Sequence, residues 1–265
     1  MRIPYYHVDA FTARAFGGNP AGVCVLEEWL ADDVLQKIAA ENNLSETAFF
    51  TRLADGYHLR WFAPQMEVDL CGHATLATAH VLFSELGCQD PILRFHTRSG
   101  ILTAARQGNV IELDFPSRPP VPCVAPDALL RGLGRPPLEV LRARDLVAVY
   151  ASPGDVAALA PDMTLLEKLD CLGVIATAPG TDADFVSRFF APRAGVPEDP
   201  ATGSSHSSLI PFWSGRLGKT EMLSRQLSRR GGEFYCRLAG DRVGIGGHAV
   251  VYGRGELQIY GATQS

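Results

Sequence analysis

Apolar positions fall along this chain in two rhythms. One is short and strand-like: Gly22-Val23-Cys24-Val25-Leu26, Leu59-Arg60-Trp61-Phe62, Ile92-Leu93-Arg94-Phe95 and Val110-Ile111-Glu112-Leu113 are brief, rich in β-branched or aromatic residues, and bounded by Gly, Asn, Asp or Pro. The other rhythm is helical. Val34, Leu35 and Ile38 share one face of a helix that Asp32 or Asp33 would cap and that runs through Ala40. A second helix is predicted to start after Gly72 and to carry Ala74, Leu76, Ala77, Val81 and Leu82, with Gly87 as its terminator. The small residues Ala74, Ala77 and Ala79 suit packing on most sides. The predicted unit is several strands around one well-buried helix.

That unit occurs twice. Trp61-Phe62-Ala63-Pro64 is echoed by Phe189-Phe190-Ala191-Pro192, and Val68 follows the first at the distance at which Val196 follows the second. Pro197-Glu198-Asp199 then read as three extra residues, after which Cys71-Gly72-His73-Ala74 aligns with Thr202-Gly203-Ser204-Ser205. The run from Gly100 to Gly108 and Leu113 matches Gly232 to Gly240 and Ile245. Several matches in one order, about 130 residues apart, predict two homologous domains. The Pro-rich stretch from Phe115-Pro116 through Pro126 has no pattern for a strand or helix interior and reads as a semi-rigid linker, so the first domain is expected over residues 1–117 and the second from 118. A cleft between them is the expected ligand site.

Composition narrows the function classes. The chain has 265 residues, 46% of them hydrophobic, and a net charge of −5, which gives no field for holding nucleic acid. It has no apolar run approaching the roughly 18 residues of a membrane helix, and Met1-Arg2-Ile3-Pro4-Tyr5 leads into a strand-like segment rather than a signal peptide. A soluble, cytoplasmic protein with neither nucleic-acid nor membrane partners is expected. Six cysteines show no CxxC pair, and seven histidines show no HExxH motif, so neither a disulfide framework nor a bound metal is expected.

The candidate chemistry lies at the repeated junctions. Each puts a Gly beside a polar residue at an expected helix start, where backbone N–H groups without helical partners and the helix dipole favour a carboxylate. The residues are Gly72 and His73 in one copy and Gly203 and Ser204 in the other. Asp199, just before the second junction, is placed to orient a histidine or a substrate hydroxyl or amine, or to serve only as a favourable dipole charge. Glu46 in Asn43-Leu44-Ser45-Glu46-Thr47-Ala48-Phe49-Phe50 corresponds by the repeat offset to Val174. A glutamate leading into an apolar strand is costly to bury charged, which raises its pKa and suits a carboxyl that takes and returns a proton; on the solvent side it would do neither. Gly215-Arg216-Leu217-Gly218-Lys219-Thr220 fails the phosphate-loop spacing. Cys71 and His73, two residues apart at a helix start, are expected to point to different sides.

Together these motifs resemble the PhzF family, the phenazine-biosynthesis-like proteins with the diaminopimelate epimerase fold. The resemblance is carried by Val8-Asp9-Ala10-Phe11-Thr12 with Phe16-Gly17-Gly18-Asn19-Pro20-Ala21-Gly22-Val23, by Asn43-Leu44-Ser45-Glu46-Thr47-Ala48-Phe49, and by Glu67-Val68-Asp69-Leu70-Cys71-Gly72-His73-Ala74-Thr75. It continues through Glu198-Asp199-Pro200-Ala201-Thr202-Gly203-Ser204 to Arg230-Gly231-Gly232 and Gly246-Gly247-His248-Ala249-Val250. The resemblance implies an α+β fold of two similar domains, each a β-barrel-like sheet around a central helix, with the last strand (about 254–265) returning from the second domain (118–253) to the first. It implies an active site between the domains, a homodimer, and no cofactor or metal. The implied reaction is an isomerisation of a small anionic carboxylate in which Glu46 moves a proton between carbons. His73 and Asp199 would hold and polarise the substrate, and Ser45, Gly72, Gly203 and Ser204 would bind it. Epimerases of this fold use one cysteine from each half; here Cys71 has Thr202 as its partner, whose hydroxyl cannot replace a thiolate base. An epimerase or racemase using other groups, or a small-acid-binding dimer without turnover, are the alternatives.

Overall fold

The computed structural model describes residues 1–260. In chain order the elements are β1 (Arg2–Ala10), β2 (Asn19–Val25), α1 (Asp32–Asn42), β3 (Glu46–Leu53), β4 (Gly56–Phe62), β5 (Glu67–Val68), α2 (Gly72–His80), β6 (Ile92–Thr97), β7 (Gly100–Gln107) and β8 (Val110–Pro116). There follow β9 (Val121–Pro122), α3 (Asp127–Leu133), β10 (Glu139–Arg142), β11 (Leu146–Val149), α4 (Pro153–Ala157), α5 (Met163–Leu166), β12 (Val174–Pro179) and β13 (Phe185–Phe190). The chain ends with α6 (His206–Leu217), β14 (Glu221–Gln226), β15 (Gly232–Ala239), β16 (Arg242–Gly247) and β17 (Ala249–Gln258). It divides into two compact units, residues 1–114 with 246–260, and residues 115–245.

Both units are built by the same sequence of pairings. In the first, β17 lies antiparallel to β1 and β1 to β2, β2 runs parallel to β3, β3 antiparallel to β4, β4 parallel to β6, and β6 antiparallel to β7. In the second, β9 is antiparallel to β10 and β10 to β11, β11 is parallel to β12, β12 antiparallel to β13, β13 parallel to β14, and β14 antiparallel to β15. Parallel neighbours need a crossover rather than a hairpin. All the helices but α3, which joins antiparallel β9 and β10, fall at those crossovers, α1 and α2 in the first unit, and α4, α5 and α6 in the second. In α2 every residue from Gly72 to Ala79 is buried, as its alanines predicted. A π-helical turn, Val81–Glu85, extends it, and Gly87 in the left-handed region ends it.

Three details differ from the sequence reading. Neither Asp32 nor Asp33 caps α1: the cap is Ala31, because the Asp32 carboxylate is engaged by Arg60 (2.9 Å) and that of Asp33 by Lys37 (2.8 Å). The Pro-rich linker contains a short strand after all, Val121–Pro122, which pairs with Leu141 and Arg142. A proline is tolerated there because the partner's ladder does not need its missing N–H at the edge. The return to the first unit comes at residue 246 rather than about 254, since β17 pairs with β1 from Ala249 opposite Ala10 to Gln258 opposite Arg2.

Strand register corrects the alignment of the two copies. Phe62 faces Thr47 and its echo Phe190 faces Val174, so the counterpart of Glu46 is Gly173, one residue before Val174. Two residues separate Pro64 from Glu67, whereas five separate Pro192 from Glu198, and the Pro192–Ala194 turn of 3₁₀ helix occupies the longer segment. The extra residues therefore precede Glu198. Glu198 takes the place of Glu67, and Asp199, whose N–H bonds to the Phe189 carbonyl at 3.0 Å, takes that of Val68, which pairs with Trp61.

A matching clamp makes this equivalence physical. Arg60 donates from Nε and Nη2 to the two carboxylate oxygens of Glu67 at 2.7 and 2.8 Å, and Arg188 does the same to Glu198 at 2.7 and 3.0 Å. Each guanidinium also lies over an equivalent ring, Arg60 5.1 Å from the centroid of Phe62 and Arg188 4.8 Å from that of Phe190. The Arg60, Glu67 and Arg188 side chains keep only 11–12% of their surface, and Glu198 25%. Such a pair is weak evidence for net stability, but removing one partner leaves a mostly buried charge with only an exposed second partner, Asp32 for Arg60 or Arg98 for Glu67. Glu67→Gln is expected to destabilise the protein by about 3 kcal/mol in denaturant unfolding, and an apolar replacement of both Arg60 and Glu67 by distinctly less. Equal losses in the single and double variants would show that the clamp is not what the site's scaffold depends on.

Candidate active site

In the first unit, four segments bring polar side chains to one place. Helix α1 stops because Asn43 enters the left-handed region (φ 48°) with its N–H on the Ala39 carbonyl at 3.1 Å. The chain then turns through Leu44 and half-buried Ser45 into β3, whose first residue is Glu46, beside Ala21 of β2. Asn19 opens β2 after Gly18 (φ +59°), where a Cβ would lie 2.0 Å from the Ala10 carbonyl oxygen, so only glycine fits. The fourth segment is the Cys71-Gly72-His73 junction, which enters buried α2 directly.

These residues form one cluster. His73 Nε2 lies 3.1 Å from Glu46 Oε2, and that oxygen is buried without a hydrogen bond from the protein. His73 Nδ1 lies 3.2 Å from Asn19 Nδ2, and Ser45 Oγ donates to Asn19 Oδ1 at 3.2 Å. Asn19 is wholly buried and His73 5% exposed, while the Glu46 side chain keeps 20% of its surface. Burial opposes a charge on His73, but the Cys71 sulfur and the Glu46 carboxylate favour one and prevail, holding its pKa well above the usual histidine range. Burial, with Glu46 adding to it, pushes the Cys71 thiol up to about 11, so it is a thiol rather than a thiolate near neutrality.

Cys71 and His73 do not point apart. The sulfur lies 3.5 Å from His73 Nδ1 and 3.9 Å from Nε2. The i, i+2 rule for helix faces does not apply, because Cys71 is the extended cap residue (φ −142°, ψ 113°) and only His73 is helical. Glu46, Cys71 and His73 thus bring their ligating atoms within 4.8 Å of one another. Carboxylate, thiolate and imidazole are zinc-type ligands, but a metal here would first have to displace protons from both the Cys71 thiol and the His73 imidazolium.

The second unit holds Asp199, Gly203 and Ser204. Thr202, the counterpart of Cys71, donates its hydroxyl to the Asp199 carboxylate. Gln226 binds both, accepting from the Thr202 N–H at 2.8 Å and donating to the Asp199 carbonyl at 2.6 Å. Gly203 is buried and Ser204 half-buried. Here the helix starts later than predicted: α6 begins at His206, and Gly203 and Ser204 lie in a tightened turn whose carbonyls accept from the N–H groups of His206 and Ser207 at 3.0 and 3.2 Å. His206 seals this turn, with Nδ1 2.9 Å from the Thr202 carbonyl, Nε2 3.0 Å from Ser224 Oγ, and its ring stacked on Phe234 at 3.9 Å. The sequence reading assigned no catalytic or binding role to Asn19, Cys71 or His206. A lone amide opening an apolar strand was the available signal for Asn19.

The family described as "Phenazine biosynthesis-like protein" (PhzC-PhzF) matches residues 8–255. An uncharacterized isomerase of Pseudomonas aeruginosa is 51% identical over 259 residues, covering 98% of this chain and 100% of its own. The crystal structure of a PhzF-family phenazine biosynthesis protein from Enterococcus faecalis superposes with a TM-score of 0.95 at 45% identity, covering 98% of this chain and 100% of that one. A hydroxyproline epimerase from Agrobacterium vitis, 13% identical with a TM-score of 0.61 over 97% of this chain and 92% of its own, shares the fold alone. The fold is therefore the α+β, diaminopimelate epimerase-like one. Among the described residues no helix is long and apolar enough to cross a membrane.

Burial lowers the pKa of His206 from 6.5 to about 4. Between those values the unfolded chain takes up a proton that the folded protein refuses, so stability falls as pH drops through that window and the loss ends below about 4. Unfolding at pH 7 and pH 5 is expected to differ by about 2 kcal/mol more in the wild type than in His206→Gln. An unchanged difference would mean that His206 is not held neutral.

Proposed function

This chain belongs to the phenazine biosynthesis-like (PhzC-PhzF) family, and from that membership together with the Glu46–His73 pair we propose that it is a cofactor-independent isomerase of a small carboxylate. Glu46 takes a proton from a carbon acidified by a neighbouring carboxylate or double bond and returns it to another carbon of the same molecule. The observation that carries this reading is Glu46 Oε2, buried 3.1 Å from His73 Nε2 and without a hydrogen bond, so it keeps a lone pair for a substrate proton. Once Glu46 is protonated, it is the acid that returns the proton.

The other groups serve binding. Gly72 offers its backbone N–H in the first turn of α2, where the helix dipole favours an anion, while the Ser45 hydroxyl, which donates to Asn19, is left to accept from a substrate hydroxyl or amine. His73 and, from the second unit, Asp199 are proposed to hold and polarise the substrate, and Gly203 and Ser204 to bind it, as the family resemblance implies. A net charge of −5 attracts no anion at long range, so these local donors must capture it.

A second reading, epimerisation, draws on Cys71 as another proton carrier beside His73. It is the weaker one. The thiol is held high, and its counterpart Thr202 commits its hydroxyl to Asp199, which leaves no matching second acid of that type.

Incubation in D2O with a panel of cyclic and amino-acid carboxylates, followed by NMR, separates the readings. Migration of hydrogen between carbons is the expected outcome, and exchange with inversion at one carbon would favour epimerisation. On a substrate so found, Glu46→Gln is expected to lower turnover about 10²- to 10⁴-fold. Full activity in that variant would sink the assignment of Glu46.

A further inference from the structure

Outside the roles assigned so far, one residue in the first unit touches the proton machinery from behind. Asn19 is wholly buried, its carboxamide lies 3.2 Å from His73 Nδ1 on one side and 3.2 Å from Ser45 Oγ on the other, and the backbone that delivers it admits only glycine at position 18. Buried amides are bonded at both ends or they are costly.

The chemistry at Nδ1 is what distinguishes this contact. With Nδ2 toward the ring, the amide donates, Nδ1 must be an acceptor, and the single ring proton sits on Nε2, facing Glu46. With Oδ1 toward the ring, Nδ1 must carry a proton, and the ring is either the opposite tautomer or, with Nε2–H retained, a cation. The Ser45 hydroxyl both donates and accepts, so it can satisfy whichever end of the amide faces it. A carboxylate in place of Asn19 could only accept, and a hydrocarbon could do neither.

We propose that Asn19 is a positioning residue that sets the proton state of His73, turning its carboxamide over as His73 gains or loses the Nδ1 proton, with Ser45 as the counter-partner in both orientations. His73 can then pass between neutral and cationic forms while buried, without stranding a polar group. Nε2, the ring nitrogen beside Glu46, keeps its proton throughout. The groups that face the ring are Glu46 from β3, Cys71 ahead of α2 and Asn19 from β2; of these only Asn19 meets Nδ1 with a group able both to donate and to accept strongly. The link to catalysis rests on the reading of Glu46 and His73 given above, whereas the link to the state of the ring does not.

The test is ¹⁵N NMR of the intact protein labelled at histidine, with His73 assigned by its loss in His73→Gln. In the wild type the neutral form is expected to carry its proton on Nε2. In Asn19→Asp the cation should persist to a pH at least about one unit higher, and the neutral form, once reached, should carry its proton on Nδ1. Asn19→Ala, which adds no charge and covers the event that the aspartate variant does not fold, should give a mixture of the two neutral tautomers. Wild-type titration and tautomer in the folded variants would overturn the proposal. On a substrate found by the D2O screen, Asn19→Asp should move the alkaline limb of the exchange rate upward along with the NMR midpoint. An NMR midpoint that moves without the rate profile would support the positioning role and count against His73 in the reaction instead. A rate that collapses while the ring's titration and tautomer stay as in the wild type would overturn the positioning role.

Discussion

A strand arginine clasping a glutamate on the returning segment is the constraint on which both candidate sites depend. In each unit the bidentate pair spans the turn between a central strand and the junction loop, over 7 residues in one and 10 in the other. Together with the β5 pairing in one unit and the Gln226 bonds in the other, it stiffens the approach of the residues that follow. In the first unit these are Cys71, Gly72 and His73, and in the second Asp199 and Thr202. The fork geometry of arginine matters here, since it fixes the direction as well as the distance of its partner. The aromatic ring under each guanidinium shields the pair from water and keeps the arginine flat against its strand. The longer turn of the second copy has been accommodated without moving either end of the clamp.

Duplication with a common frame makes the differences between the units informative. The position that holds Glu46 in one unit holds Gly173 in the other, and the Cys71 and His73 positions hold Thr202 and Ser204. A glutamate, a cysteine and a histidine are gathered in the first unit. The second has kept hydroxyls, a carboxylate tied to Thr202, and a histidine, His206, that burial holds neutral and that serves packing. Thr75, the residue matching His206, likewise bonds back to the junction, its hydroxyl donating to the Cys71 carbonyl at 2.5 Å. Two different side chains thus satisfy the same backbone carbonyl. The frame is shared, and the chemistry laid on it is not.

The cluster around His73 also shows how a buried polar network avoids penalty. Each ring nitrogen has a neighbour suited to more than one proton state: a carboxylate at Nε2 and a carboxamide at Nδ1. An arrangement with a fixed donor at Nδ1 would resist the cation, and a fixed acceptor would resist the neutral form with its proton toward Glu46. Low local dielectric makes either mismatch costly.

Much of this was written locally. Alternation and punctuation predicted the strands, the alanine run predicted α2 buried on nearly all sides, and repeated residues in one order predicted two like units. The motifs at residues 43–49 and 71–75 singled out Glu46, Gly72 and His73 before any geometry was available. The strands, the buried helix and the paired units are found in the fold because periodicity and turn chemistry act over a few residues. Tertiary structure alone decided the rest. The true counterparts of Glu46 and Asp199 follow from strand register, which hydrogen bonds between distant segments set and spacing along the chain does not. Cys71 meets His73 because the cap residue is extended, a matter of two dihedral angles. Asn19 reaches His73 across 54 residues of sequence, through a glycine turn on one strand and a helix start beyond another. Contacts of that kind arise only when the sheet has closed around the helix, which is why the chain announced its proton-bearing residues and left their arrangement to the fold.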